Sequence, residues 1–133
     1  MVKNIISGNN RTLLINVIWF LFPMLACIAE ISRGLGDINN FLIYKQVFWH
    51  TIEQKHLYLS YPLEYSDVNH YGPLFSILIA PFALLPVYIG CFLWCLLNVG
   101  FLFYAIKQLP LPEKSILFIL LMIYRMNHYI NLT

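Results

Sequence analysis

The chain has 133 residues, of which 60% are hydrophobic and only 11% charged, with a formal net charge of +2 and a mean hydropathy of +0.71. A soluble domain is nearer about 25% charged and could not bury so much apolar surface at this length, so we expect lipid to be the solvent. The small net charge, without a basic stretch interleaved with aromatic residues, excludes a nucleic-acid partner.

The first predicted element is a membrane helix over residues 12–29, "TLLINVIWFLFPMLACIA", which contains no charged residue. As an α-helix this run rises about 27 Å, close to the thickness of the hydrocarbon core. Pro23 is tolerable in such a helix. Lys3 and Arg11 precede the run, which favours a cytoplasmic N-terminus. A cleaved signal peptide fits less well, because its apolar region is usually only about 7–15 residues long.

A polar region, Ser32 to Gly72, follows the first helix. We expect it to form an external loop that contains one amphipathic helix, capped by Asn39 or Asn40. Apolar residues recur at three- and four-residue spacing on one side of this helix: Phe41, Tyr44, Phe48 and Ile52. Polar residues occupy the other side: Lys45, Gln46, His50, Glu53 and Gln54. The aromatic face suits either the lipid interface or packing on other protein, and both interpretations stay open.

Residues 68–106 form a second long stretch without charge, interrupted by prolines. In one arrangement, two minimal helices of about 17 residues form a hairpin that turns near Pro86–Gly90. In the other, a short re-entrant piece, Pro73–Leu85, precedes one full crossing. The second arrangement places Lys107 and Lys114 inside, as the positive-inside rule prefers.

A further apolar helix is predicted over residues 115–124, and Arg125 ends it. Together these segments predict an all-α, polytopic membrane protein with about four transmembrane helices. We treat residues 1–133 as a single membrane domain whose first partner is the lipid bilayer, with residues 32–72 as its external loop.

Three cysteines, Cys27, Cys91 and Cys95, lie in apolar runs, and we interpret them as small buried hydrophobic residues. Cys91 and Cys95 share a helix face, but without histidine or acidic neighbours this is a poor metal signal. His50 and His56 are six residues apart and lie on different faces of a helix, which is also a poor zinc spacing. We therefore predict no metal and no cofactor.

Asp37 stands one or two turns beyond the first membrane helix. Desolvation at a membrane surface can raise the pKa of a carboxyl group, and such a group can accept a proton from a sugar hydroxyl. Alternatively, Asp37 is a boundary acid or a cap for the next helix. Four tyrosines suit an aromatic belt at the interface or stacking against a sugar: Tyr58, Tyr61, Tyr65 and Tyr71.

Four short motifs occur in order along the chain: "DINNFLIY" from Asp37, "LYLSYP" from Leu57, "YGPLFSILIAPFALLP" from Tyr71 and "LWCLLN" from Leu93. In this order they resemble the N-terminal part of glycosyltransferase family 87, the polyprenol-phosphate-mannose-dependent mannosyltransferase-like membrane proteins of the GT-C superfamily. The resemblance covers roughly residues 12–106. Ile38 stands where the family often has an aromatic residue, and Gly72 stands where it has the first of two prolines.

The resemblance implies an inverting transfer of a sugar, a hexose such as mannose, from a polyprenyl-phosphate-sugar donor to an acceptor hydroxyl at the external membrane face. It maps the general base onto Asp37, and it implies a hairpin of the second and third spans, which is why we prefer that arrangement. The phosphate leaving group needs a cation, for which Arg33 or Lys45 is a candidate. The candidates for substrate binding are Arg33, Tyr44, Tyr61, His70 and Tyr71.

Members of this family are several hundred residues long and have many more spans. We therefore expect these 133 residues to be an N-terminal fragment, inactive by itself, in a bacterial inner (plasma) membrane. The alternative is a non-catalytic small integral membrane or accessory protein, or an inactive truncated product.

Overall fold

The computed structural model describes residues 8–112 and 114–120, and all regular structure in these ranges is helical. Four helices follow in the order α1 (Gly8–Arg33), α2 (Asn39–Ile52), α3 (Pro73–Ala83) and α4 (Val87–Lys107), and residues 114–120 are also helical. The predicted all-α class is confirmed for the described part of the chain.

Two of the described helices are long and apolar enough to cross a membrane: 24 residues of α1, Asn10–Arg33, and the 21 residues of α4. Only 17% of the most apolar window of each helix is buried inside the protein. Large side chains such as Leu13 and Phe101 are 63% and 73% exposed. Apolar helices with so little protein around them are more typical of membrane spans than of the core of a soluble domain.

The expected count of about four spans is not confirmed. α3 is apolar but has 11 residues, so it rises only about 16 Å, roughly half of the hydrocarbon thickness. The last predicted helix, residues 115–124, is described only as far as residue 120.

The helix lengths bear on the two arrangements considered for residues 68–106. Two helices of about 17 residues each are not observed, because α3 has 11 residues and α4 has 21. A short helix followed by one long helix matches the lengths of the second arrangement. The connection between them, residues 84–86, does lie next to the predicted turn. Pro73 occupies the first turn of α3, where its missing N–H removes no helical hydrogen bond.

The chain divides into two compact units, of which the first comprises Met1–Met24 and Leu96–Thr133. Its described core contains four buried residues: Trp19, Ile106, Ile116 and Leu120. The indole Nε1 of Trp19 donates a hydrogen bond to the carbonyl of Val99 over 3.2 Å. The polar end of this buried ring is thereby satisfied in apolar surroundings.

The second unit, Leu25–Cys95, contains the polar region and all the candidate site residues. One core cluster consists of Cys27, Ile38, Phe41, Ile79 and Cys91. A second consists of Ile43, Val47 and Tyr65. α2 contributes to both clusters and packs on α3. At least one face of this helix therefore packs on protein, which was one of the two interpretations of its apolar side; the other was contact with the lipid interface.

The predicted start of α2 is confirmed at Asn39, but the predicted cap is wrong. Ile38 is the N-cap residue, and no side chain caps the helix. The Asn39 side chain instead accepts a hydrogen bond at Oδ1 from the backbone N–H of Ser66, over 2.8 Å. The amide therefore ties the start of α2 to the long loop that follows the helix.

The predicted division of α2 into an apolar and a polar side is wrong at three positions. Ile52 was placed on the apolar side and is 57% exposed. His50 was placed on the polar side and is 1% exposed, and Lys45 reaches into the protein toward α3. The buried residues of α2 are Phe41, Ile43, Val47 and His50. The last three are spaced by four and three residues, which places them on one face of the helix.

Candidate functional site

Asp37 lies in the short connection, residues 34–38, that joins α1 to α2. Gly34 has a φ of +120°, which only glycine adopts without strain, so the chain can turn immediately after the last residue of α1. Ile38 is buried, at 5% exposure, and anchors the other end of the connection in the core. The carboxylate of Asp37 lies between these two fixed points and is 42% exposed.

Arg33, the last residue of α1, pairs with Asp37. Its Nε donates to Asp37 Oδ2 over 2.5 Å, and the two side chains are 59% and 42% exposed. Exposed ion pairs contribute only about 0–1 kcal/mol, so an incoming anion or hydroxyl can displace one partner at little cost. The structure thus brings together the predicted general base and one of the two predicted phosphate-binding cations.

Lys45, the other predicted cation, holds the end of α3. Its Nζ donates hydrogen bonds to the carbonyls of Ala83 over 2.7 Å and Leu85 over 2.6 Å. Carbonyls at a helix C-terminus lack intrahelical partners, and the helix dipole favours a cation there. Burial lowers the pKa of the Lys45 ammonium, while its two acceptors favour the charged form. Because this ammonium is already bound to backbone, Arg33 is the better candidate for a phosphate.

Tyr44 and Tyr71 meet in an aromatic cluster that also contains Phe75 and Trp94. The Tyr71 hydroxyl donates to the Tyr44 hydroxyl over 3.2 Å, and the two ring centroids are 5.0 Å apart at 90°. Phe75 and Trp94 lie 5.2 and 6.0 Å from the Tyr44 ring, also edge to face. Burial raises the pKa of Tyr44 to about 12. This phenol is therefore neutral near pH 7 and offers a hydrogen-bonding group rather than a charge.

Tyr61 packs against the buried His50 on α2. The two ring centroids are 4.2 Å apart, and the Tyr61 hydroxyl donates to the carbonyl of His56 over 2.8 Å. On its other side, His50 Nε2 lies 2.7 Å from Glu64 Oε2, a distance at which the ring N–H donates to the carboxylate. These contacts fasten the loop to α2, so the Tyr61 hydroxyl is already engaged within the protein.

Asn69 organises the loop next to α3 and was not singled out from the sequence. It is 3% exposed. The amide Nδ2 donates hydrogen bonds to the carbonyl of Leu57 over 2.9 Å and to the carbonyl of Tyr71 over 3.0 Å. The amide Oδ1 accepts a hydrogen bond from the N–H of Tyr71 over 2.8 Å. These bonds set the backbone position of Tyr71. The neighbouring residue, His70, is exposed, so its imidazole is accessible from solvent.

Apart from His70 and Lys45, the predicted site residues lie in three groups in the second unit: Arg33 with Asp37, Tyr44 with Tyr71, and Tyr61 against the buried His50. Ile38, adjacent to Asp37, belongs to the hydrophobic cluster against which Tyr44 packs. The first two groups are therefore anchored on a common core. The sequence contained one signal for the buried His50, namely its spacing after Ile43 and Val47 on one face of α2. It contained no signal for the buried amide of Asn69.

A family model, Glycosyltransferase family 87, matches residues 69–126. This segment includes α3 and α4, and so the motifs that begin at Tyr71 and Leu93; Asp37 and the motif at Leu57 precede it. No curated protein and no solved structure matches the chain. The match makes the chain similar to glycosyltransferase family 87 over a little less than half of its length, and it supports a glycosyltransferase role in general.

Proposed function

We propose that the protein is a membrane glycosyltransferase that transfers a sugar, a hexose such as mannose, from a polyprenyl-phosphate-sugar donor to an acceptor hydroxyl. The observation that carries this proposal is the family match over residues 69–126. The two long apolar helices support a membrane location. A bilayer suits this class of donor, because its polyprenyl tail partitions into hydrocarbon while its phosphate stays at the surface.

Asp37 is the general base in this proposal. It follows directly on the candidate span of α1, and its carboxylate is accessible to an acceptor arriving from water. The carboxylate takes the proton of the acceptor hydroxyl as that oxygen attacks the anomeric carbon. The bond between the anomeric carbon and the donor phosphate breaks on the opposite face of the sugar, and its electron pair leaves with the phosphate oxygen. The product is inverted at the anomeric carbon.

Arg33 receives the phosphate of the donor. Guanidinium and phosphate form strong, often bidentate hydrogen bonds, whereas the observed pair with Asp37 is exposed and weak. Donor binding would therefore draw Arg33 from the carboxylate to the phosphate and leave Asp37 as an unpaired base. The ion pair is, in this view, the resting state of the site.

The remaining candidates take supporting roles. His70 is exposed and can hydrogen-bond to sugar or acceptor. Tyr71 and Tyr44 supply aromatic surface and hydroxyl groups for the sugar ring. Tyr61 acts through the loop, because its ring packs on His50 and its hydroxyl is engaged by backbone.

The orientation proposed for the chain places its N-terminus in the cytoplasm of a bacterium and residues 32–72 outside the inner membrane. Lys3 and Arg11, which precede the first apolar run, support this orientation through the positive-inside rule. Asp37 then faces the external side, where a lipid-linked sugar would meet its acceptor.

A transfer assay on Asp37→Asn tests the proposal. Membranes containing the protein expressed from its complete reading frame would receive a polyprenyl-phosphate donor with a radiolabelled hexose, and labelled product would be counted. Loss of a general base costs typically about 10²–10⁴-fold in rate, so we expect at least about a hundredfold loss. The matched control is Asp67→Asn, the same change in the same polar region, at an exposed acid whose Oδ1 accepts the N–H of Val68.

Full activity of Asp37→Asn would remove the base assignment. Equal losses in both variants would show a dependence on loop charge rather than on one carboxylate. If the wild-type protein transferred no sugar from any such donor, the alternative of a non-catalytic membrane or accessory protein would replace the proposal.

A further inference from the structure

Three cysteines converge in the second unit, although they come from distant parts of the chain. Cys27 lies on α1, and Cys91 and Cys95 lie one turn apart on α4. Their three Sγ atoms all lie within 4.8 Å of one another. Cys27 and Cys91 are 5% and 4% exposed, and Cys95 is half-buried. The sugar-transfer chemistry proposed above uses none of them.

We propose that Cys27, Cys91 and Cys95 form a binding site for a thiophilic d10 cation, Cu(I). Soft thiolate ligands select Cu(I) and Zn(II) over harder ions. A metal–sulfur bond is about 2.3 Å long, so three sulfurs around one ion lie roughly 4 Å apart. The three Sγ atoms are already close to that spacing, and each needs to move by less than about 1 Å, which small χ1 rotations provide.

The number of ligands favours Cu(I) over Zn(II). Among the described residues, the cluster of metal-ligating side chains at this place consists of the three cysteines. Cu(I) is stable with two or three sulfur ligands, whereas protein-bound Zn(II) in structural sites takes four. A trigonal set of thiols is therefore complete for Cu(I) and one ligand short for Zn(II).

An acidic residue beside the cluster adds attraction for a cation. Glu30 follows Cys27 by three residues on α1, so the two are neighbours on the helix surface. Its carboxylate interacts electrostatically with Cys27 and Cys95. A negative charge at this position attracts a cation that approaches the cluster.

The test is an anaerobic titration of the reduced full chain in detergent micelles with Cu(I) ions, in competition with a chromophoric Cu(I) chelator. We expect one tight Cu(I) per chain. Loss of a second-shell partner costs about 10–100-fold in metal affinity, so removal of a direct ligand by Cys27→Ser or Cys91→Ser should cost at least about 100-fold. Met24→Leu is the control, because Met24 is a soft thioether one turn before Cys27 on α1, and this variant should bind as the wild type does.

A second measurement does not depend on the variants folding. X-ray absorption of the wild-type protein loaded with Cu(I) should show three sulfur neighbours at about 2.3 Å and no nitrogen or oxygen neighbour. Nitrogen neighbours, a loss of binding in Met24→Leu, displacement of Cu(I) by equimolar Zn(II), or failure of the wild type to compete with the chelator would each overturn the assignment.

Discussion

Replacing Lys45 by methionine should loosen the packing of α2 on α3. The methionine side chain retains the apolar stem of lysine but cannot donate hydrogen bonds. In the structure the ammonium bridges two elements, because Lys45 belongs to α2 and its acceptors, the carbonyls of Ala83 and Leu85, lie at the end of α3. The substitution leaves both carbonyls without this donor in a part-buried position, where an unpaired polar group is unfavourable.

The expected cost follows from the two hydrogen bonds, at 2.7 and 2.6 Å. A hydrogen bond to a charged group contributes about 1.5–3 kcal/mol, and the attraction of a cation to a helix C-terminus, about 0.3–1 kcal/mol, is part of the same interaction. Desolvation of the ammonium offsets some of this gain. We therefore expect Lys45→Met to lower the free energy of unfolding by about 2–4 kcal/mol, which for a chain of this length lowers Tm by on the order of 10 °C.

Thermal unfolding in detergent micelles, followed by circular dichroism, measures this effect. The matched control is Lys55→Met, which removes an ammonium from an exposed pair with Glu53, 2.6 Å apart, and should leave Tm close to the wild-type value because solvent screens such pairs. Equal Tm values for Lys45→Met and Lys55→Met would refute the reasoning from the two carbonyls. If Lys45→Met left Tm unchanged but weakened donor binding, Lys45 would instead be the cation that binds the phosphate of the donor.

Two further predictions concern the second unit. The fold favours the neutral phenol of Tyr44, whose pKa is raised to about 12, so this residue contributes stability that is fully present below about pH 10 and lost as pH rises toward 12. Tyr44→Phe should flatten the fall in Tm over that alkaline range, and an unchanged slope would contradict the assignment. A Cβ on Gly90 would lie 2.9 Å from Phe41 Cζ and closer still to the carbonyl oxygen of Phe82, so Gly90→Ala should cost about 1–3 kcal/mol through overpacking. Gly100→Ala is the control on the same helix, because the atom nearest to a Cβ at this position would be 4.0 Å away. Coinciding unfolding curves for the two variants would show that the close approach at Gly90 is dispensable.

The helices themselves could be predicted from the sequence, because their signals are local. The uncharged run at residues 12–29 lies within α1, and the start of α2 at Asn39 was predicted from the asparagines that precede its apolar spacing. The proline-rich stretch before α4 was compatible with two arrangements. Its outcome is a helix of 11 residues and then one of 21, an arrangement that brings Gly90 close to the backbone of Phe82.

The partners of the polar and sulfur-containing side chains depended on the tertiary structure. Lys45 bonds to carbonyls about forty residues away, and Cys27 meets Cys91 and Cys95 from another helix. Such contacts leave no periodic trace in the sequence, because spacing along one helix reports only the neighbours within that helix. The sequence alone indicated a helical chain suited to lipid and an acid, Asp37, at the end of its first apolar run. Folding decided that this acid stands beside Arg33 on an exposed turn, because Gly34 lets the chain turn after α1 and the buried Ile38 anchors the other end of the turn.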